Sequence, residues 1–181
     1  VIQSALVPSL KKALADERRA AEAQLSLDGK GTACARRICR FEDAIVEALF
    51  DFARPRLYPS GKASEENRIT VLAVGGSGRG TPAPGSDIDL LFLVSSRQTS
   101  RDKSIIEAIL YVLWDLGQKV GHAVRTVEDT IQHAKQDITI RTAVLEARRI
   151  CGNQGLADEL SRRFDRDVAK GTGPAFIAAK L

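Results

Sequence analysis

Asp87 and Asp89 stand two apart at the head of an apolar run, 88–94, so strand alternation sets both carboxylates on one face and Ile88 on the other. Two neighbouring carboxylates repel, and a hard divalent cation between them relieves the repulsion. Oxygen ligands select Mg²⁺ or Mn²⁺, and Mg²⁺ held by one or two carboxylates usually completes its shell with substrate phosphate. Just upstream lie Gly75, Gly76, Gly78, Gly80 and Gly85, with Pro82 and Pro84 among them. Backbone amides freed in such a turn form an anion nest, and Arg79 adds a cation. The pattern points to a site for a polyphosphate and a metal. A Walker-type loop is excluded because no GK[ST] follows the glycines. A dinucleotide-binding fingerprint is excluded because Gly80 leads into Thr-Pro-Ala-Pro and not into a helix.

The elements that position these residues follow from periodicity. Residues 69–74 and 88–94 are apolar without alternation, as in strands covered on both faces. The connection between them is too rich in glycine for a helix interior and too rich in proline for a central strand. Before them, Leu6, Leu10, Leu14, Ala21 and Leu25 predict a helix over 3–25 starting at about Pro8, and Ile38, Phe41, Ile45, Leu49 and Phe52 predict a second over 32–53. A polar connector, 58–67, follows. After a turn at 95–101, a helix over 102–116 ends at Gly117, with Tyr111 and Trp114 read as core. Residues 119–126 predict a third strand carrying His122 and Arg125, with His122 read as a strand residue and not a base. Helices over 126–135 and 138–147, the latter capped by Asp137, precede 150–152, read as the exit from that helix. A last helix starts near Asn153, where Leu156, Leu160, Phe164 and Val168 step by four. The order ααββαβααα predicts an α+β fold in which a small sheet carries the site and helices cover it.

With 181 residues the chain can build one full core, and its 44% hydrophobic and 28% charged fractions suit a soluble globular protein. No apolar run nears the ~20 residues of a membrane helix and no signal peptide precedes the first helix, so cytoplasmic residence is expected. A formal charge of +4, spread along the chain, excludes a nucleic-acid footprint of clustered cations and aromatics. Arg36, Arg37 and Arg40 are expected on one solvated helix face. Cys34, Cys39 and Cys151 are expected to be buried thiols and not a disulfide framework. The start at Val1 and the lack of methionine suggest a piece of something longer.

The run Gly75-Gly76 followed by Asp87-Ile88-Asp89 resembles the signature of the DNA polymerase β-like nucleotidyltransferase superfamily. The blocks VGGSGRGTPAPGSDIDLLFL, YVLWDLGQKVGHAVRT, DITIRTAVLEARRICGN and RFDRDVAKGTGPAFIAAKL together are similar to the amino-terminal domain of the bacterial protein-PII uridylyltransferase family. The resemblance covers about 68–181 and implies a small mixed sheet with flanking helices; the amino-terminal helical pair is compatible with it, and the chain is expected to comprise that pair over 1–57, a nucleotidyltransferase core over 65–152 and a helical segment over 153–181 in one compact unit. It implies transfer of UMP from UTP to a tyrosine of the signal protein PII. Asp87 and Asp89 are then the catalytic metal ligands for Mg²⁺ or Mn²⁺, holding two ions about 4 Å apart. Gly75, Gly76, Ser77, Arg79 and Ser86 are then the nucleotide contacts. A longer parent would carry uridylyl removal and glutamine sensing in later domains, and neither is expected of this stretch.

Two departures from the family pattern stand out. Ser77 sits where tyrosine is usual, its hydroxyl compatible with a phosphate contact. The superfamily also places a third carboxylate on a later strand, whereas 119–126 holds His122, Ala123 and Arg125 but no acid. Glu128, Asp137 and Glu146 are the candidates to replace it. Transfer to another protein or a small molecule, or nucleotide binding without turnover, are the competing readings.

Overall fold

The runs expected at 69–74 and 88–94 form the central strands of a four-stranded sheet, β1 (Ile69–Ala73) and β2 (Ile88–Val94). The structure, a computed structural model, describes residues 2–57, 59, 68–83, 85–95 and 98–170. Most of the 58–67 connector, part of the 95–101 turn and the terminal 171–181 run lie outside them. β1 and β2 are antiparallel, with Ala73 opposite Leu90. β3 (Val120–Thr126) runs parallel to β2, with Asp89 opposite Gly121. β4 (Arg148–Gly152) is antiparallel to β1, with Ala73 opposite Arg148. The order β3-β2-β1-β4 therefore gathers the end of β1 and the starts of β2, β3 and β4 at one end of the sheet.

Apolar residues on both faces of β1 and β2 require two layers of helix, and both are present. On one face Ile69, Val71, Ile88, Leu90, Phe92 and Val94 pack with Leu14 of α1 (Ile2–Asp28) and with Ile45, Val46, Leu49 and Phe50 of α2 (Gly31–Phe52). A single turn, α3 (Gly75–Gly78), follows β1, and α4 (Ser100–Asp115) completes this face through Ile105, Ile106, Ile109 and Leu113. On the other face Leu72, Leu91 and Leu93 meet α5 (Val127–Gln136), α6 (Ile138–Leu145) and α7 (Gln154–Phe164). Each of these fully buried aliphatic or aromatic side chains contributes about 1.5–3 kcal/mol by leaving water.

Local chemistry sets the helix starts. Thr99 and Asp102 form a capping box at α4, Thr126 and Asp129 form one at α5, and the Asp137 carboxylate accepts the Thr139 and Ile140 amides at 2.7 and 3.1 Å to open α6. Such caps contribute about 1 kcal/mol each by satisfying amides that the first turn leaves over. Among the described residues no helix is long and apolar enough to cross a membrane.

Several expectations need correction. Residues 148–152 are a strand and not merely a helix exit. β4 is an edge strand in which Cys151 alone is buried, and its register with β1 shifts between Val71 and Leu72, so it lacks an apolar period. The glycine connection does contain helix, the one turn of α3. Pro8 lies inside α1, where it removes one amide from the helical ladder, and does not start the helix. Tyr111 and Trp114 are not core, being 54% and 44% exposed; their rings meet edge to face at 5.6 Å while the aliphatic stripe of α4 fills the interior. Cys39 and Cys151 are buried, but Cys34 is only partly so. Arg36, Arg37 and Arg40 do share an exposed stretch of α2.

Candidate active site

The β1–β2 connection positions the site because the antiparallel pair closes on itself at this end. The Val74 amide donates to the Asp89 carbonyl at 3.0 Å, which ties the start of α3 to the start of β2. Gly75 takes a left-handed φ of +57°, a turn that glycine makes at little cost and that aims the chain from β1 into α3. With Val74 as an N-cap that offers no side-chain acceptor, the Gly75, Gly76 and Ser77 amides have no intrahelical partner. The Gly78 and Arg79 amides already bond to the Val74 and Gly75 carbonyls.

Asp89 sits between two glycines. A Cβ added to Gly75 would lie 3.5 Å from Asp89 Oδ2, and one added to Gly121 would lie 2.5 Å from Oδ1. No other residue type fits at position 121 without moving the carboxylate. Asp89 lies on the sheet face of α5 to α7, while Ile88 is buried on the opposite face, as strand alternation requires. Partial burial, and then the neighbouring Asp87 charge, push the Asp89 carboxyl above the ordinary carboxylate range. Asp87 is exposed just before β2. Among the described residues neither side chain accepts a hydrogen bond or pairs with a cation. Two acceptor-only groups, mutually repelling and without a described partner, fit a hard divalent ion.

Beside Asp89 opens a cleft of about 220 Å³ lined by Val74, Gly121, Ala123, Arg125, Ile140 and Val144 among others. Arg125 follows Gly121 and Ala123 on the same side of β3 and makes no hydrogen bond or ion pair among the described residues. His122 points the other way, its ring 6.1 Å from Trp114.

The structure brings Gly75 together with Asp89, and Asp87 close enough to affect its charge. Gly76 lies against Arg79, whose guanidinium folds back to within 3.7 Å of where a Gly76 Cβ would be. Arg79 also pairs with Glu146 at 2.5 Å and remains 53% exposed. Ser86 is exposed in the turn before Asp87, its amide bonded to the Ala83 carbonyl at 3.0 Å. The Ser77 hydroxyl is closed to solvent and has no described partner, and its amide lies in the first turn of α3 without an intrahelical partner. None of the three candidates for the third acid joins the pair. Glu128 pairs with Arg163 at 2.6 Å, Asp137 caps α6, and Glu146 holds Arg79. Among the described residues no group of three or more His, Cys, Asp or Glu side chains could hold a metal. Gly121 escaped the sequence reading, although a lone glycine inside a strand marks a close approach.

The family model described as "Nucleotidyltransferase domain" matches residues 61–148. The bifunctional uridylyltransferase/uridylyl-removing enzyme of Rhodopseudomonas palustris is 49% identical over 99% of this chain and 19% of its own length. The corresponding enzyme of Bradyrhizobium sp. is 48% identical over 100% of this chain and 19% of its own. The chain thus spans about a fifth of the length of these relatives. A solved chain described as "Crystal structure of the toxin-antitoxin with AMP-PNP" superposes with a TM-score of 0.40 at 12% identity over 73% of this chain and 97% of that one, too loosely to bear on fold or ligand. The matched segment contains β1 to β3, the glycine turn and both aspartates, so residues 61–148 of this chain form a nucleotidyltransferase domain.

Proposed function

We propose that the protein transfers UMP from UTP to a tyrosine hydroxyl of the signal protein PII, releasing pyrophosphate. One observation carries the reading: the Asp89 carboxylate lies against Gly75, at the head of the turn whose amides are free. Metal-binding oxygens and anion-binding amides are thereby within one nucleotide's reach. The high identity to enzymes named as uridylyltransferases supports uridylyl as the transferred group.

Asp87 and Asp89 would hold Mg²⁺ or Mn²⁺, which when bound lowers the pKa of the attacking hydroxyl and offsets charge on the departing pyrophosphate. The Gly75, Gly76 and Ser77 amides grip the phosphate oxygens, and Arg79 and Arg125 supply positive charge on either side. The tyrosine oxygen loses its proton to solvent and bonds the α-phosphorus. The bond from that phosphorus to the bridging oxygen breaks, and pyrophosphate leaves with the electron pair. This chain's contribution is positioning and charge stabilisation, with no covalent enzyme intermediate.

A second reading, nucleotide binding without turnover, is favoured by the absence of a third carboxylate among the described residues. Incubation with UTP, Mg²⁺ and PII, read by mass spectrometry with ATP and CTP as competitors, separates the two. One uridylyl group added to PII, resisted by neither competitor at equal concentration, is the expected result. UTP binding with unmodified PII would favour the second reading.

A further inference from the structure

The glycine turn is held from behind by a cluster that its transfer chemistry does not use. Arg148, the first residue of β4, donates from Nη2 to the Ser77 carbonyl at 3.0 Å and from Nε to the Gly78 carbonyl at 3.3 Å. These are carbonyls of the last turn of α3, where a cation offsets the partial negative charge. The same guanidinium pairs with Asp43 of α2, Nη1 to Oδ2 at 2.8 Å and Nη2 to Oδ1 at 3.1 Å, and touches Cys39 Sγ at 3.5 Å. On the adjacent side, a Cβ on Gly78 would lie 2.1 Å from the Glu146 carbonyl oxygen, so the α6–β4 turn presses directly on α3. The Glu146 carboxylate holds Arg79, the residue after α3.

We propose that Arg148, held in its fork geometry by Asp43, is a positioning residue that fixes α3 so that its free amides face the phosphates. The amino-terminal helical pair then belongs to the catalytic unit, because α2 supplies the carboxylate that orients the arginine. A four-residue glycine turn has almost no side chains with which to pack itself. Its conformation must be imposed from outside, and residues 146–148 together with Asp43 impose it. Lysine cannot replace the fork, since one ammonium cannot meet two carbonyls and a carboxylate in the same plane. The kinetic part of the idea rests on the transfer reaction proposed above, whereas the structural part does not.

The test combines hydrogen exchange with kinetics on Arg148→Gln, Arg148→Lys and Asp43→Asn, with Arg149→Gln as a control on the exposed neighbour. Exchange of the Gly78, Arg79 and Gly80 amides is measured without nucleotide. The three variants are expected to exchange these amides at least about tenfold faster, and to lower kcat for pyrophosphate release by about 10- to 100-fold with a smaller change in KM for UTP. Arg149→Gln is expected to match wild type in both. Wild-type exchange in Arg148→Gln and Asp43→Asn overturns the proposal, as does full rescue by Arg148→Lys. If Arg148→Gln does not fold, Arg148→Lys and Asp43→Asn decide the matter. If wild type itself releases no pyrophosphate, the transfer reading fails and the exchange rates alone judge the clamp.

Discussion

Replacing Gly121 by alanine separates the position of the Asp89 carboxylate from the stability of the fold. The new Cβ would meet Asp89 Oδ1 at 2.5 Å, against an ordinary contact of 3.4 Å or more. The carboxylate is the free end of a side chain with no described partner, so it yields and the β3 backbone does not. It must move by roughly 1 Å, a displacement that costs on the order of 100-fold when it falls on reacting groups. Alanine in place of glycine in a strand otherwise favours the fold by about 0.5–1 kcal/mol, so the melting temperature should hold or rise slightly. Pyrophosphate release from UTP, measured beside thermal denaturation, reads both quantities. Activity within about twofold of wild type would refute the reasoning, since it would mean that the placement of Asp89 is immaterial. A large fall in melting temperature would show that the strand gives way instead.

Gly78→Ala is the contrasting case, because its Cβ would meet main-chain oxygen of Glu146 at 2.1 Å. Overpacking against backbone should cost about 1–3 kcal/mol in denaturant unfolding. Asp89, with its folded pKa raised, contributes stability that is fully present below the ordinary carboxylate range and lost as pH rises through the folded value. Asp87→Asn removes one cause of that rise, so the metal-free variant should melt higher than wild type at neutral pH, with the gain vanishing in acid. Burial pushes the Cys151 thiol up to about 12 and also raises Cys39. A thiol reagent at pH 8 should therefore label Cys34 first, and the other two only after unfolding.

The sheet faces were legible because β1 and β2 are apolar on both sides, and the last helical stripe because Leu156, Leu160 and Phe164 of α7 and Val168 in the turn after it are all buried. The caps at Thr126 and Asp137 could be read from residue type alone. β4 could not, since an edge strand with one buried side chain has no period to detect. Asp87 and Asp89 announced themselves by spacing. The groups around them did not: Gly121 and Arg148 act through contacts across 32 and 70 residues of chain, which no local pattern encodes. Tyr111 and Trp114 misled because aromatic residues on an apolar helix are usually core, whereas here the aliphatic side chains leave no room for them.

The proposed transfer rests on Asp87 and Asp89, of which Asp89 lies against Gly75 of the glycine turn. Single-turnover release of pyrophosphate from UTP with Mg²⁺ and PII, compared between wild type and Asp87→Asn, tests it most directly. Stoichiometric release by wild type, and none above background by a variant that remains folded in a thermal melt, is the expected result. Release by Asp87→Asn at the wild-type rate would contradict it.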